Sequence, residues 1–216
     1  DKHPNLKSRA GEVLAEKTVE GITEKACKTW FDVRAFGQLF PFKGGGGKKG
    51  KNKEGEEAGD SKGVSIGIRG PVSVHSAFSI SPVAAYVTSN QITKSTSNEG
   101  DGIQRQSDQM GMKHRIDNGI YLFFGSMNPQ LAERTGFSDI DSDAIKQVLP
   151  KLFENDASSA RPEGSMEVLK VIWWKHNCKA GQYSSAKVHR TLTVDADGSI
   201  KLNTLDGLTP EIIDGF

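Results

Sequence analysis

Residues 110–136, MGMKHRIDNGIYLFFGSMNPQLAERTG, hold the arm of a hairpin, a strand and a capped helix in 27 positions. From Ile116 to Phe124, Ile120, Leu122 and Phe124 fall on one side and Tyr121 and Phe123 on the other. Apolar residues on both faces predict a central strand. Asn128-Pro129 then supplies an N-cap with proline at the first helical position, and Gly136 closes that short helix. Strand and helix alternate, which points to a mixed chain.

Downstream, Ser138 with Asp141 reads as a capping box ahead of the stripe Ile145, Val148, Leu149, Leu152 and Phe153, and Pro150 should kink or split that helix. Met166–Trp174 predicts another strand, apolar on both faces. Val188–Val194 and Ile200–Leu202, joined by a turn at Asp197-Gly198, predict a hairpin. Upstream, residues 81–114 are rich in Ser, Thr, Asn and Gln and suit a long projecting hairpin. Val64–Ile80 alternates around Ile66, Ile68, Val72, Val74 and Phe78, and Pro71 marks an edge strand or bulge. Ala15, Val19, Ile22, Ala26 and Trp30 give residues 12–31 the spacing of an amphipathic helix. Phe31, Val33 and Ala35 then alternate with Asp32 and Arg34, predicting a strand that runs to Phe40. Residues 43–63 hold eight Gly, six Lys and four acids, a composition that predicts a mobile loop. The fold class read from this order is α+β, with 1–216 as one domain.

At 216 residues and 35% hydrophobic composition the chain can build a sizeable core, which excludes wholesale disorder. No apolar run reaches the ~20 residues of a spanning helix and no signal-peptide pattern opens the chain, so a soluble, cytoplasmic protein without membrane partners is expected. Cys27 and Cys178 are the two cysteines, which excludes a disulfide framework and a CxxC metal knuckle. Lys+Arg 28 against Asp+Glu 27 gives +1, yet the charge is unevenly spread. Asn128–Ser165 holds seven acids and four bases, whereas Met166–Lys201 holds six bases and three acids. A basic face can exist on a nearly neutral protein.

Enzyme signatures fail on context. Gly63-Val64-Ser65-Ile66-Gly67 fits GxSxG, but a loop precedes it and a strand comes after, where a nucleophile elbow needs strand then helix. Gly44–Lys49 lacks the first glycine of a phosphate loop and has Lys49 where Ser or Thr would hold magnesium. His176, Cys178 and His189 do not have an established zinc spacing. Gly67-x-x-Gly70 mimics a KH clamp, which joins two helices, but lies in a strand pattern. The carboxylates of 139–143 and 154–163 suit helix N-termini as well as they suit acid–base work. No catalytic residue, metal ligand or cofactor is assigned.

Basic residues beside glycines remain: Arg34 in FDVRAFG (31–37), Arg69 in GIRGPV (67–72), and Lys113 and Arg115 after Met110-Gly111-Met112. Glycine lets a backbone approach a phosphate while a guanidinium forks onto its oxygens. These segments, with QITKS (91–95), residues 110–136 and residues 152–192, resemble the backbone subunit of the CRISPR Cascade complex, type I-C, over most of residues 26–194. That resemblance implies an RRM-like (ferredoxin-like) antiparallel palm with a protruding thumb hairpin over 81–116. It also implies a palm lacking its first strand, because the family's opening strand and helix have no counterpart after Asp1.

The resemblance further implies a non-catalytic protein that polymerises in a helical filament along guide RNA and holds its sugar-phosphate backbone. Partners would be guide RNA, target DNA through the guide, further copies of the chain and other Cascade subunits. Phosphate contacts carry no sequence information, so such a scaffold suits any guide. The RNA-binding candidates are Arg34, Arg69, Lys113 and Arg115 for phosphates and Met110 and Met112 as a thumb wedge. Lys94, Arg161, Lys187 and His189 join them by their place in matched segments. Trp173 and Trp174 point to opposite faces of a strand and are expected to pack. Two rivals are a metal-dependent RNA endonuclease using Asp101, Asp108 or Asp117, and a sequence-specific single-stranded RNA-binding module.

Overall fold

The computed structural model describes residues 6–11, 18–41, 65–94, 109–158 and 160–216. The Gly/Lys stretch 43–63 and the hairpin tip 95–108 lie outside them. Element order is α1 (Leu6–Gly11), α2 (Val19–Thr29), α3 (Phe31–Phe36), β1 (Gly37–Pro41), β2 (Ser65–Arg69), β3 (Val72–Val74), β4 (Phe78–Ser79), β5 (Val87–Lys94), β6 (Gln109–Ile116), β7 (Tyr121–Leu122) and β8 (Gly125–Met127). Next come α4 (Pro129–Thr135), α5 (Asp139–Val148), β9 (Lys170–Trp173), α6 (Ser185–His189), β10 (Leu192–Val194), β11 (Ile200–Leu202) and β12 (Glu211–Asp214). The class is α+β, as expected, and every ladder among the described residues is an antiparallel pair.

Two compact units account for the chain. The first comprises Asp1–Val74, Gly125–Ser185 and Thr204–Phe216. Its core joins Ile22, Ala26 and Cys27 of α2 to Val33 of α3, Phe40 of β1 and Ile66 and Ile68 of β2, with Trp30 packed against them. Thr18 caps α2 by accepting from Gly21 N at 3.0 Å, and Ile22 and Ala26, one turn apart, turn its apolar side inward. β1 pairs β2, β3 pairs β8, and β9 pairs β12. The second unit comprises His75–Phe124 and Ala186–Asn203. In it β4 pairs β7, β5 pairs β6 over eight residue pairs, and β10 pairs β11.

The caps are as expected. Asn128 accepts from Gln130 N and Leu131 N, Gly136 closes α4 in the left-handed region at φ 75°, and Ser138 and Asp141 form the reciprocal box. A 3₁₀ turn at Leu149–Lys151 ends α5 where Pro150 intervenes. Pro71 falls between β2 and β3, and its carbonyl accepts from Asn128 N at 2.9 Å.

Four expectations are corrected. Phe31–Phe36 is helix, not strand: Arg34 N donates to Trp30 O at 3.0 Å, and Gly37, at φ 83°, stops the turn. Six residues are too few for alternation to separate one and a half turns from a strand. Ile116–Phe124 is not one central strand. Asp117 N bonds Tyr86 O to close β6, and the rest runs beside residues 75–80 through His75 N to Phe124 O and Ile80 N to Ile120 O. Met166–Trp174 contributes only Lys170–Trp173 as strand, and Val188–Val194 divides between the end of α6 and β10. Arg190 N still bonds Ala186 O one helical turn back, and Thr191, buried, bonds Val188 O through both its amide and its hydroxyl. β12 was not foreseen; it pairs Ile212 with Ile172 and Ile213 with Val171. The predicted helix over 12–31 is seen as Val19–Thr29, residues 12–17 lying outside the described residues.

Candidate nucleic-acid interface

The β1–β2 ladder separates two faces. Ile66 and Ile68 are buried while Ser65, Gly67 and Arg69 are open, the alternation of a half-buried strand. Register sets Arg69 opposite Gly37 and Gly67 opposite Leu39, which is 57% exposed. The open face is a shallow groove of about 540 Å³ with Phe36 and Gln38 at one side and Arg69 at the other. Arg69 has no ion-pair partner among the described residues. A five-donor cation stands beside two positions without side chains and next to an apolar ledge. Such a surface matches a phosphate with its sugar, and the Gln38 amide is already engaged, its Nε2 donating to the Leu39 carbonyl at 3.0 Å.

Arg34 is directed elsewhere. Its Nε and Nη2 donate to Asp141 Oδ2 and Oδ1 at 3.1 and 2.7 Å, and its Nη1 donates to Cys27 O at 2.8 Å. The two side chains retain 21% and 11% of their exposure. Asp141 Oδ2 also accepts from Ser138 N and Oγ. Its hydrogen bonds from Arg34, more than any other influence, hold the Asp141 carboxyl down at about 2. This guanidinium, expected among the phosphate ligands, has a carboxylate partner within the fold.

A depressed folded value fixes the sign of the pH effect. The pair's contribution is complete above the ordinary carboxylate pKa near 4 and fades as pH falls from there toward 2. With allowance for solvent screening it amounts to about 1–2 kcal/mol. Asp141→Asn should therefore lower stability at pH 7 and flatten the acid limb between about pH 4 and 2. Urea midpoints measured across that range check this, and an acid limb identical to that of the unsubstituted protein would refute it.

On the β5–β6 hairpin, directly opposed residues share a face. Met112 opposes Gln91, His114 opposes Ser89 and Ile116 opposes Val87 on one side; Lys113 opposes Asn90 and Arg115 opposes Thr88 on the other. The thioether of Met112, 58% exposed, and the two cations thus look in opposite directions. Lys94 and Met110 occupy register positions opposite Gln109 and Thr93. Arg115 Nε donates to Asp117 Oδ1 at 2.7 Å, and the Thr88 hydroxyl donates to Asp117 Oδ2. Both hold the Asp117 carboxyl below the usual range. Asp101 and Asp108 lie outside the described residues.

The remaining candidates are scattered. Arg161 closes a turn with Ser158 and donates to Asp156 at 2.7 Å. Lys187 and His189 lie on α6; the His189 ring stacks on Phe124 at 4.4 Å and meets His75 edge-on at 5.8 Å. His176 Nδ1 accepts from Gln182 N in a loop of the first unit. Among the described residues no group of three His, Cys, Asp or Glu could hold a metal ion. Trp173 and Trp174 are each half-buried.

Two features were missed. Asp141 was read as a cap only, because nothing local announces a partner 107 residues away. Arg134, Lys175 and Arg190 are exposed cations with no ion pair among the described residues; Lys175 and Arg190 could have been picked from the basic stretch 166–201.

Among the described residues no helix is long and apolar enough to cross a membrane. No curated protein is similar enough to the chain to match it. The family model for CRISPR-associated protein Cas7 matches residues 2–207. With an α+β fold of antiparallel pairs and a match over nearly its whole length, the chain belongs to the CRISPR-associated protein Cas7 family, the RRM-like backbone subunits of CRISPR Cascade complexes.

Proposed function

We propose that the chain is the non-catalytic backbone subunit of a type I-C Cascade complex in the cytoplasm. Its copies line up in a helical filament along guide RNA, beside other Cascade subunits, and present the guide to target DNA. The single observation that carries this reading is the open β1–β2 face, where an Arg69 with no carboxylate partner among the described residues stands beside Gly37 and Gly67. Such a face binds any sequence alike, and base pairing is left to do the reading.

In this proposal residues 1–216 form one palm, with 43–63 as a loop and 81–116 as the thumb. Lys94, Lys113 and Arg115 of the thumb, with Arg161 and Lys187, bind phosphates. The ion pairs of Arg115 and Arg161 are exposed, so exchanging a carboxylate for a phosphate costs little. Met110 and Met112 wedge against bases, which a thioether does without preference. The opposite facing of Met112 and Lys113 supports a thumb that touches two things at once. His189 acts through its α6 surface, its ring being stacked internally.

Arg69→Ala is expected to weaken binding of every single-stranded RNA alike and to flatten the log–log salt dependence by roughly 0.7. Fluorescence anisotropy at four salt concentrations measures both. An altered base preference with the slope unchanged would count against the reading.

A further inference from the structure

We infer that the Arg34–Asp141 pair is a positioning device for the Arg69 groove rather than part of its contact surface; this rests on the RNA-binding reading above. One guanidinium joins three helices. It sits on α3, takes up the Cys27 carbonyl in the last turn of α2, and forks onto the carboxylate that caps the N-terminus of α5. The Cys27 carbonyl belongs to the last turn of α2, where carbonyls lack helical partners, and a helix start favours negative charge. Both local needs are met by a bond that also fixes α3.

The position of α3 matters because its C-terminal end runs straight into the groove. Phe36, its last residue, and Gly37, its cap, are part of the groove lining, and Gly37 faces Arg69 across the ladder. Gly37 and Gly70 touch main chain to main chain: a methyl on Gly37 would lie 2.6 Å from Gly70 N, and one on Gly70 would lie 2.6 Å from Gly37 N. With no side chain to act as a cushion, a displacement of α3 is passed directly to the residues flanking Arg69. The pair therefore sets the groove's shape from outside it, and its loss changes how well the groove fits RNA without changing how many phosphates are held.

That difference is measurable on the full chain with a mixed-sequence single-stranded RNA oligonucleotide. Arg34→Gln and Asp141→Asn should each lower affinity roughly three- to tenfold at every salt concentration and leave the salt slope unaltered. The double variant should lose no more than either single one, and Arg34→Lys should recover part of the loss. Circular dichroism melts establish that each variant is folded at the assay temperature. Should Arg34→Gln not be folded, Arg34→Lys and Asp141→Asn, which keep the charge or the shape, test the same point. A slope lowered by roughly 0.7 in the Arg34 variants would make Arg34 itself a phosphate ligand and overturn the inference. Unchanged affinity in folded variants would overturn it too, leaving a bond that only stabilises. Arg69→Ala run alongside separates the two readings: if it changes nothing, the location of the RNA site is wrong, whatever the pair does.

Discussion

Gly70→Ala should cost the first unit at least about 3 kcal/mol. The added Cβ would overlap the Ala35 carbonyl and the Phe36 main chain and come within 2.6 Å of Gly37 N. All three are backbone atoms, so no rotamer change makes room. The obstacle is space and not the torsion angle, since Gly70 is outside the left-handed region that Gly37 occupies. Gly67→Ala is the matched control in the preceding strand: its Cβ meets only the flexible Leu39 Cδ1 at 3.8 Å. That change should be neutral or stabilise by about 0.5 kcal/mol through the unfolded chain. Urea midpoints should fall by roughly 1 M or more for Gly70→Ala, taking about 1–3 kcal/mol per molar as the denaturant slope, and stay put for Gly67→Ala. Equal midpoints would mean that the two corners do not touch.

Phe40→Ala should have an effect of similar size. Phe40 is 1% exposed and packs with Trp30 at a ring separation of 6.3 Å, among Ile66, Ile68 and Ile22. Truncating a buried phenylalanine costs about 3–5 kcal/mol, transfer and cavity together, against a total stability of about 5–15 kcal/mol for a domain. Phe40→Leu should lose about a third as much. A thermal melt distinguishes them, and a Phe40→Ala protein with an unshifted midpoint would show that this side chain is not central to the core. Because β1 carries Phe40 on one face and the groove on the other, loss of this packing should also weaken RNA binding.

Legibility in the sequence depended on the range of the forces involved. The caps at Asn128, Ser138 and Gly136 and the break at Pro150 were readable because each is set by near neighbours in the chain. The β5–β6 hairpin was readable from its polar composition, and its register gives the separation of Met112 from Lys113. FDVRAF was misread because its helix is fixed by Asp141 and by the Gly37–Gly70 contact, both remote in the chain. β12 escaped because four residues ending in Asp214 have too little pattern without their partner β9. Arg69 could be singled out from the glycines around it, and it lies on the open face of β2 opposite Gly37. Arg34 had the same local signature and a different fate, since only the fold brings a carboxylate to it. The family was legible from whole segments rather than from any one motif, and the match over residues 2–207 agrees.

The most direct test of sequence-independent grip is a panel of equal-length single-stranded RNAs of unrelated composition, titrated against the assembled protein over a range of salt. Affinities within a factor of about three of one another, all falling steeply as salt rises, are the expected result. One RNA preferred more than about tenfold, or binding indifferent to salt, would contradict it.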